Sequence, residues 1–261
     1  MLDYINEDTF ENYAHYAINF HRGLIFNPEI LTKNAIIFCH TNYLDVLFQQ
    51  IKTSEFKYIL ITHGSDYPIN IQRYLKKPKN VIKWFAENKD YIHPDLISIP
   101  IGLSPQYYEY QAKRITFIAS NIENFPKISK NTQLLYCNWN MGNGKDRCKI
   151  LNSMKLPCLW EYNLTDSDYY IHMCNFKYVV SPPGNGIDCH RTWEALYLKC
   201  IPIVLKHSLY DEFFDLPILQ VNDYSELTYD LLDNFSKKEF KYEKLYMSYW
   251  KKRITDEFNK L

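Results

Sequence analysis

The chain has 261 residues, 46% of them hydrophobic and 23% charged, with 30 basic side chains balancing 30 acidic ones. That apolar fraction excludes collagen-like, linker-like and disordered chains, and a formal net charge of zero argues against a general nucleic-acid binder, whose domains are strongly basic. Glycine is scarce: there are seven, where average usage of about 7% would give roughly 18.

The first seven residues, Met1 to Glu7, are acidic and mixed, unlike a signal peptide, and no apolar run reaches the roughly 20 residues that span a bilayer. Short continuous apolar runs then recur, at Ala35–Cys39, Tyr58–Thr62, Val81–Ala86 and Leu96–Pro100. After a polar stretch from about Tyr107 to Lys130, four more follow at Leu134–Cys137, Tyr178–Val180, Ile201–Leu205 and Ile218–Val221. Unbroken runs of this length suit strands buried on both faces, and their alternation with helical patterns predicts an α/β protein with parallel sheets. Two groups of four strands imply two domains, residues 1–125 and 126–261. Phe240–Phe258 reads as one amphipathic helix, expected to pack back on the domains rather than lie on a membrane, although peripheral membrane contact stays open.

Seven cysteines, at 39, 137, 148, 158, 174, 189 and 200, contain no Cys-x-x-Cys pair and read as reduced thiols of a cytosolic protein.

Chemistry concentrates in the second half. From Val180 to Leu196 a buried strand ends at Ser181, a loop carrying Gly184, Asn185 and Gly186 follows, and Asp188 stands where it would cap a helix. Backbone N–H groups at such a helix start, with Arg191 in its first turn, make an anion site, and Glu194 one turn on could accept from ribose hydroxyls. The same spacing also fits a capped helix with an exposed Arg–Glu pair. A similar segment lies upstream, where the strand ending at Cys137 runs through Asn138 into a loop with Gly142 and Gly144, then Lys145 and Arg147. It reads either as a second phosphate loop or as a flexible loop with solvated charges.

The stretch Ser-Pro-x-Gly-Asn-Gly-x-Asp-x-His-Arg-x-Trp-Glu-Ala-Leu-Tyr-Leu at 181–198, followed by Cys-Ile-Pro-Ile-Val at 200–204, resembles the C-terminal half of exostosin-like glycosyltransferases, the group around glycosyltransferase family 47. The likeness is dense from Leu134 to Leu205 and looser through Ile61–Tyr67, Lys83–Asn88 and His93–Leu103. It implies a GT-B fold, two Rossmann-like domains facing across a cleft, with a nucleotide-sugar donor held by the second. It also implies that Arg147 and Arg191 bind the diphosphate and Glu194 the ribose, with Asn138, Lys145, Ser181, Gly184, Asn185 and Gly186 around the donor. Two positions depart from the pattern: Pro183 stands where relatives often have Arg, and Lys199 where they often have Gly, a change expected only to lengthen a surface helix.

On the acceptor side, His63-Gly64-Ser65-Asp66 follows a buried strand, and His63 or Asp66 suits a base for the acceptor hydroxyl. The same residues also read as a loop histidine and a cap for a helix starting near Pro68, with His40 and Glu87 as lesser candidates. Asp166-Ser167-Asp168 matches the metal-binding Asp-x-Asp of GT-A transferases, but precedes a helical pattern in which Thr165 or Asp166 would be the cap. The expected protein is therefore an inverting, metal-independent glycosyltransferase with no cofactor beyond its nucleotide-sugar co-substrate, acting on a glycan or glycoconjugate in the cytoplasm of a bacterial or viral system. A metal-dependent transferase using Asp166 and Asp168, or a non-catalytic nucleotide- or glycan-binding relative, are the alternatives.

Overall fold

Continuous apolar runs must be covered on both faces, and the chain meets that need with two five-stranded parallel sheets. The computed structural model describes residues 3–24, 27–104, 118, 130–139 and 147–261. The chain divides into two compact units, one of Asp3–Ile101 with Tyr246–Leu261 and one of Gly102–Leu245. The stretch between Tyr107 and Lys130, where the sequence places its domain boundary, lies outside the described residues apart from Ile118 and Lys130.

In the first unit, α1 (Glu7–Glu11) leads into β1 (Tyr16–Ile18), β2 (Ala35–His40), α2 (Leu44–Ile51), β3 (Tyr58–His63), α3 (Ile71–Tyr74), β4 (Val81–Ala86) and β5 (Leu96–Ser98). The strands lie in simple sequential order, each parallel to the next. Every residue of β2 and β3 is buried. Ile37, Cys39, Tyr58, Leu60 and Trp84 pack under Leu44, Leu47, Phe48 and Ile51 of α2 and under Tyr74 of α3, so both helices cover one face. The alternate residues, Ile36, Phe38, Ile59, Ile61 and Phe85, are equally buried on the other. The strand β1 has no counterpart among the apolar runs, because it is three residues long with two of them half-buried.

The second unit runs β6 (Asn131–Asn138), α4 (Arg147–Ser153), β7 (Cys158–Glu161), α5 (Asp166–Cys174), β8 (Phe176–Val180), α6 (His190–Tyr197), β9 (Ile201–Leu205), β10 (Leu219–Val221) and α7 (Tyr229–Ser236). Its strand order is β7-β6-β8-β9-β10, all parallel. The chain starts inside this sheet and grows outward both ways, the doubly wound pattern. Ile150 and Leu151 of α4 and Leu232 of α7 cover the face formed by Leu135, Cys137, Tyr178, Val180 and Ile203, while α6, with Trp193 and Leu196 fully buried, packs on β9. The edge strand β7 is half-exposed, which is why it carries no apolar run.

Two helix ends differ from the expectation. Lys199 does not lengthen α6; it ends it with a left-handed φ of 59°. Its N–H donates to Leu196 O at 3.0 Å and the Cys200 N–H to Ala195 O at 2.8 Å, a Schellman closure with lysine where glycine is usual. The terminal helix α8 (Met247–Phe258) is shorter than the expected Phe240–Phe258 and belongs to the first unit, where it packs on β3 with Trp250 and Ile254 fully buried. Its start is set from afar: Asp3 O accepts the Met247 N–H at 3.1 Å, and the Asp3 carboxylate accepts the Ser248 N–H at 2.9 Å, doing the work of the cap that Tyr246 lacks. Among the described residues no helix is long and apolar enough to cross a membrane.

Gly64 closes β3 at φ +82°, and a Cβ there would stand 2.6 Å from Glu7 Oε1 and 2.7 Å from His40 Cδ2. Gly64→Ala is therefore expected to cost at least about 2 kcal/mol of stability, read from denaturant unfolding.

Candidate functional site

In a doubly wound sheet, ligands sit outside the carboxyl ends of the strands where the order reverses. Here that point lies between β6 and β8, since the chain leaves β6 for β7 on one side and returns to β8 on the other. Both loops that the sequence marks as phosphate loops leave from these two strands. The first sheet is sequential and has no reversal among its described strands.

The loop after β8 is held by its own side chains. Ser181 extends the ladder through its N–H to Ile203 O at 2.8 Å, and its hydroxyl lies 2.9 Å from Thr192 Oγ1 and 3.1 Å from Cys189 Sγ. This hydroxyl is buried in the loop–helix junction and is used to fix it. Asp188 does not cap α6; the cap is Cys189, which makes no side-chain cap bond. The Asp188 carboxylate accepts from Trp193 Nε1 at 2.7 Å and from the Cys189 N–H at 2.9 Å, tying the loop to the buried indole. With no side-chain cap bond from Cys189, the start of α6 keeps first-turn N–H groups and the positive end of its dipole at this end of the sheet. Asn185 is exposed and Gly184 half-buried on the outer side of the loop, with Gly186 buried. Neither Gly184 nor Gly186 takes a left-handed φ, so a tight left-handed turn is not what places glycine there.

Arg191, in the first turn of α6, lies half-buried with its guanidinium over the Trp139 ring, 5.8 Å from the centroid. Its one polar contact is a long one, Nη1 to Cys189 Sγ at 3.9 Å, and no carboxylate pairs with it among the described residues. Burial works against its charge, but Cys189, Tyr169, Glu194 and Tyr224 together hold its pKa above the ordinary arginine value. Among the described residues, four donors toward this end of the sheet are buried without a hydrogen-bond partner: Arg191 Nε, Trp139 Nε1, the Tyr224 hydroxyl and Trp160 Nε1 on the edge strand β7. An orphaned buried donor costs about 1–3 kcal/mol, and several together mark a place built for acceptor atoms.

Glu194 is not the outer half of a surface pair with Arg191. It is 4% exposed, and its two oxygens accept from Tyr170 at 2.8 Å and from Tyr169 at 2.9 Å. Burial, then the neighbouring Glu194 charge, raises the Tyr169 phenol far above its ordinary pKa and keeps it a donor. Asn138 ends β6 half-buried, its Nδ2 donating to Tyr136 Oη at 3.4 Å. Asn138, Arg191 and Glu194 thus gather at one sheet end. Lys145 lies outside the described residues, and Arg147 opens α4 with its side chain likewise outside them. Spacing alone could not supply Trp139, Tyr169, Tyr170 and Tyr224; the available signal was an aromatic directly after β6 and another just past β10.

The expected acceptor-side pair does not come together. His63 is 2% exposed, with Nδ1 2.8 Å from Glu87 Oε2 and Nε2 3.2 Å from Pro100 O. Burial alone would lower its pKa, but the Glu87 carboxylate, with Glu7 and the Pro100 carbonyl, raises it. Both ring nitrogens are engaged, Nδ1 by the Glu87 carboxylate and the Gly64 N–H at 2.8 Å and Nε2 by the Pro100 carbonyl, so neither is open to take a substrate proton. Asp66 lies exposed on the following loop, and α3 is capped by Asn70, which accepts the Arg73 N–H at 3.1 Å. His40, beside His63 in the sheet register, has its pKa lowered to about 4 by burial, then by His21. Asp168 accepts from the Thr165 hydroxyl at 2.7 Å and donates its N–H to the same oxygen, so it belongs to the cap of α5 and not to a strand end.

In comparison with known proteins, no family model matches the chain and no curated protein does.

The two imidazoles make opposite demands on pH. His63, raised when folded, contributes stability that is lost as pH rises through its folded pKa. His40, lowered, makes the folded state lose ground as pH falls from 6.5 to about 4, because the unfolded chain takes the proton first. Relative to His40→Gln, the parent protein should lose up to about 3 kcal/mol across that interval. Unfolding free energies of both proteins at the two ends of the interval check it.

Proposed function

We propose that the chain is a glycosyltransferase whose second unit binds a nucleotide-sugar donor, in a GT-B-type arrangement with the first unit serving the acceptor. The observation that carries this reading is the set of unpartnered buried donors, Arg191 Nε, Trp139 Nε1 and Tyr224 Oη, gathered with the uncapped start of α6 at the switch point of a doubly wound sheet. Such donors suit a diphosphate, which brings two negative charges and several acceptor oxygens. Glu194, oriented by two tyrosines and keeping further lone pairs, suits ribose hydroxyls.

In the transfer, an acceptor oxygen attacks the anomeric carbon while the bond from that carbon to the diphosphate breaks and its electron pair leaves with the nucleotide. Arg191 and the α6 N–H groups stabilise the charge that builds on the leaving diphosphate. The acceptor proton passes to a carboxylate, and Asp66 is the member of the expected pair still open to solvent. One observation favours a second reading, a nucleotide-binding relative without turnover: His63, the other expected base, is sealed on both nitrogens.

The test is a thermal-shift panel of nucleoside diphosphates and nucleotide sugars, followed by product analysis with the stabilising donor. A ligand at 100 times its Kd adds about 2.7 kcal/mol. Arg191→Ala should remove most of that gain and Glu194→Gln part of it. If no nucleotide stabilises the parent protein, the donor site is wrong. Stabilisation without sugar release or transfer selects the binding module.

A further inference from the structure

The amino-terminal edge of the second sheet, the end opposite the switch point, carries a pocket of its own. Its volume is about 390 Å³, within the range of small-molecule sites, and it opens among Lys130, Thr132, Lys177, Lys199, Ser236 and Tyr242. Thr132, Lys177 and Ile201 stand at the starts of β6, β8 and β9, so parallel pairing fixes which end of the sheet this is.

No carboxylate lines the pocket among the described residues, and none of the three lysines forms an ion pair with one. Lys130 is already committed: its ammonium donates to Cys174 O at 2.8 Å, Leu198 O at 3.1 Å and Cys200 Sγ at 3.3 Å, closing the ends of α5 and α6. It contributes charge but no spare donor. Among the described residues Lys177 and Lys199 spend no donor on a hydrogen bond and lie against aromatic rings, with Lys199 Nζ 4.3 Å from the centroid of Tyr242 and Lys177 Nζ 5.6 Å from that of Tyr178. The acid that faces Lys177 is Asp233 on α7, and it is engaged by Lys237 at 2.5 Å.

The second observation is the backbone of Lys199. A left-handed φ of 59° at a Schellman C′ position is strain for any side chain and costs nothing for glycine. The chain carries that strain at a lysine that lines the pocket. We propose that this pocket is an accessory site for a phosphate or diphosphate group of a free small molecule, held by Lys177 and Lys199 with the Thr132 and Ser236 hydroxyls beside them. It stands apart from the donor site in residues and in sheet end, so the two stand or fall separately.

The experiment is amine footprinting: acetylation of each lysine, read by mass spectrometry, with and without sodium pyrophosphate, and with sodium chloride at matched ionic strength. Pyrophosphate should slow acetylation of Lys177 and Lys199 about tenfold while chloride leaves both unchanged. Lys177→Gln and Lys199→Gly should each weaken pyrophosphate binding about tenfold in calorimetry. Lys199→Gly should also melt higher than the parent, because it relieves the backbone, so weaker binding with greater stability cannot be loss of fold. Arg191→Ala should leave the footprint at Lys177 and Lys199 intact. Equal protection by chloride, protection confined to other lysines, or undiminished binding by both variants would overturn the proposal.

Discussion

The handedness of the parallel crossover governs both halves of this chain. A strand-to-strand connection turns in one sense, so a sheet that grows in one direction receives all its connections on one face. The first sheet grows that way, and α2 and α3 indeed share a face. Its other face, with Ile36, Phe38, Ile59 and Ile61, has no crossover to cover it and recruits helices from elsewhere. α1 arrives from before the sheet and α8 from after the whole second unit. The second sheet grows both ways from β6, so its own connections cover both faces and diverge between β6 and β8. One geometric rule thus explains why the terminal helix is borrowed in one unit, and why the connections diverge between β6 and β8 in the other.

The carboxyl ends of the two sheets also differ in how their polar groups are used. In the first, Glu7, Glu11, Asn19 and Arg22 bond to one another, and His63 to Glu87 and Pro100, in a buried network that leaves Asn19 Oδ1 without a hydrogen bond. In the second, the satisfied bonds, Asp188 to Trp193 and Ser181 to Thr192, fix the scaffold and leave Arg191, Trp139 and Tyr224 with donors unused. Rigid support beneath unspent donors is what a preorganised binding site requires.

The central strands were readable because burial on both faces leaves an unbroken apolar run, as in Ala35–Cys39 and Ile201–Leu205. The edge strands were not: Tyr16–Ile18 and Cys158–Glu161 are short and half-exposed, and leave no such trace. The start of α8 was misplaced because the residue that caps it, Asp3, is more than 240 positions away. At the site, Arg191 and Glu194 could be singled out from their place after a strand and a glycine loop. That Glu194 is buried between two tyrosines, or that His63 is spent on Glu87, depends on partners from other elements. Lys199 shows the same limit at a helix end, where the residue type suggested continuation and the backbone imposed a stop.

The borrowing of α8 makes the second unit an insertion within the first, since Gly102–Leu245 is flanked on both sides by chain that belongs elsewhere. During synthesis the second unit can therefore complete its core while the earlier-made sheet still has one apolar face bare. That face waits for Trp250 and Ile254. The first unit is thus synthesised in two instalments with the whole second unit between them, and the bond from Asp3 to the start of α8 joins the two.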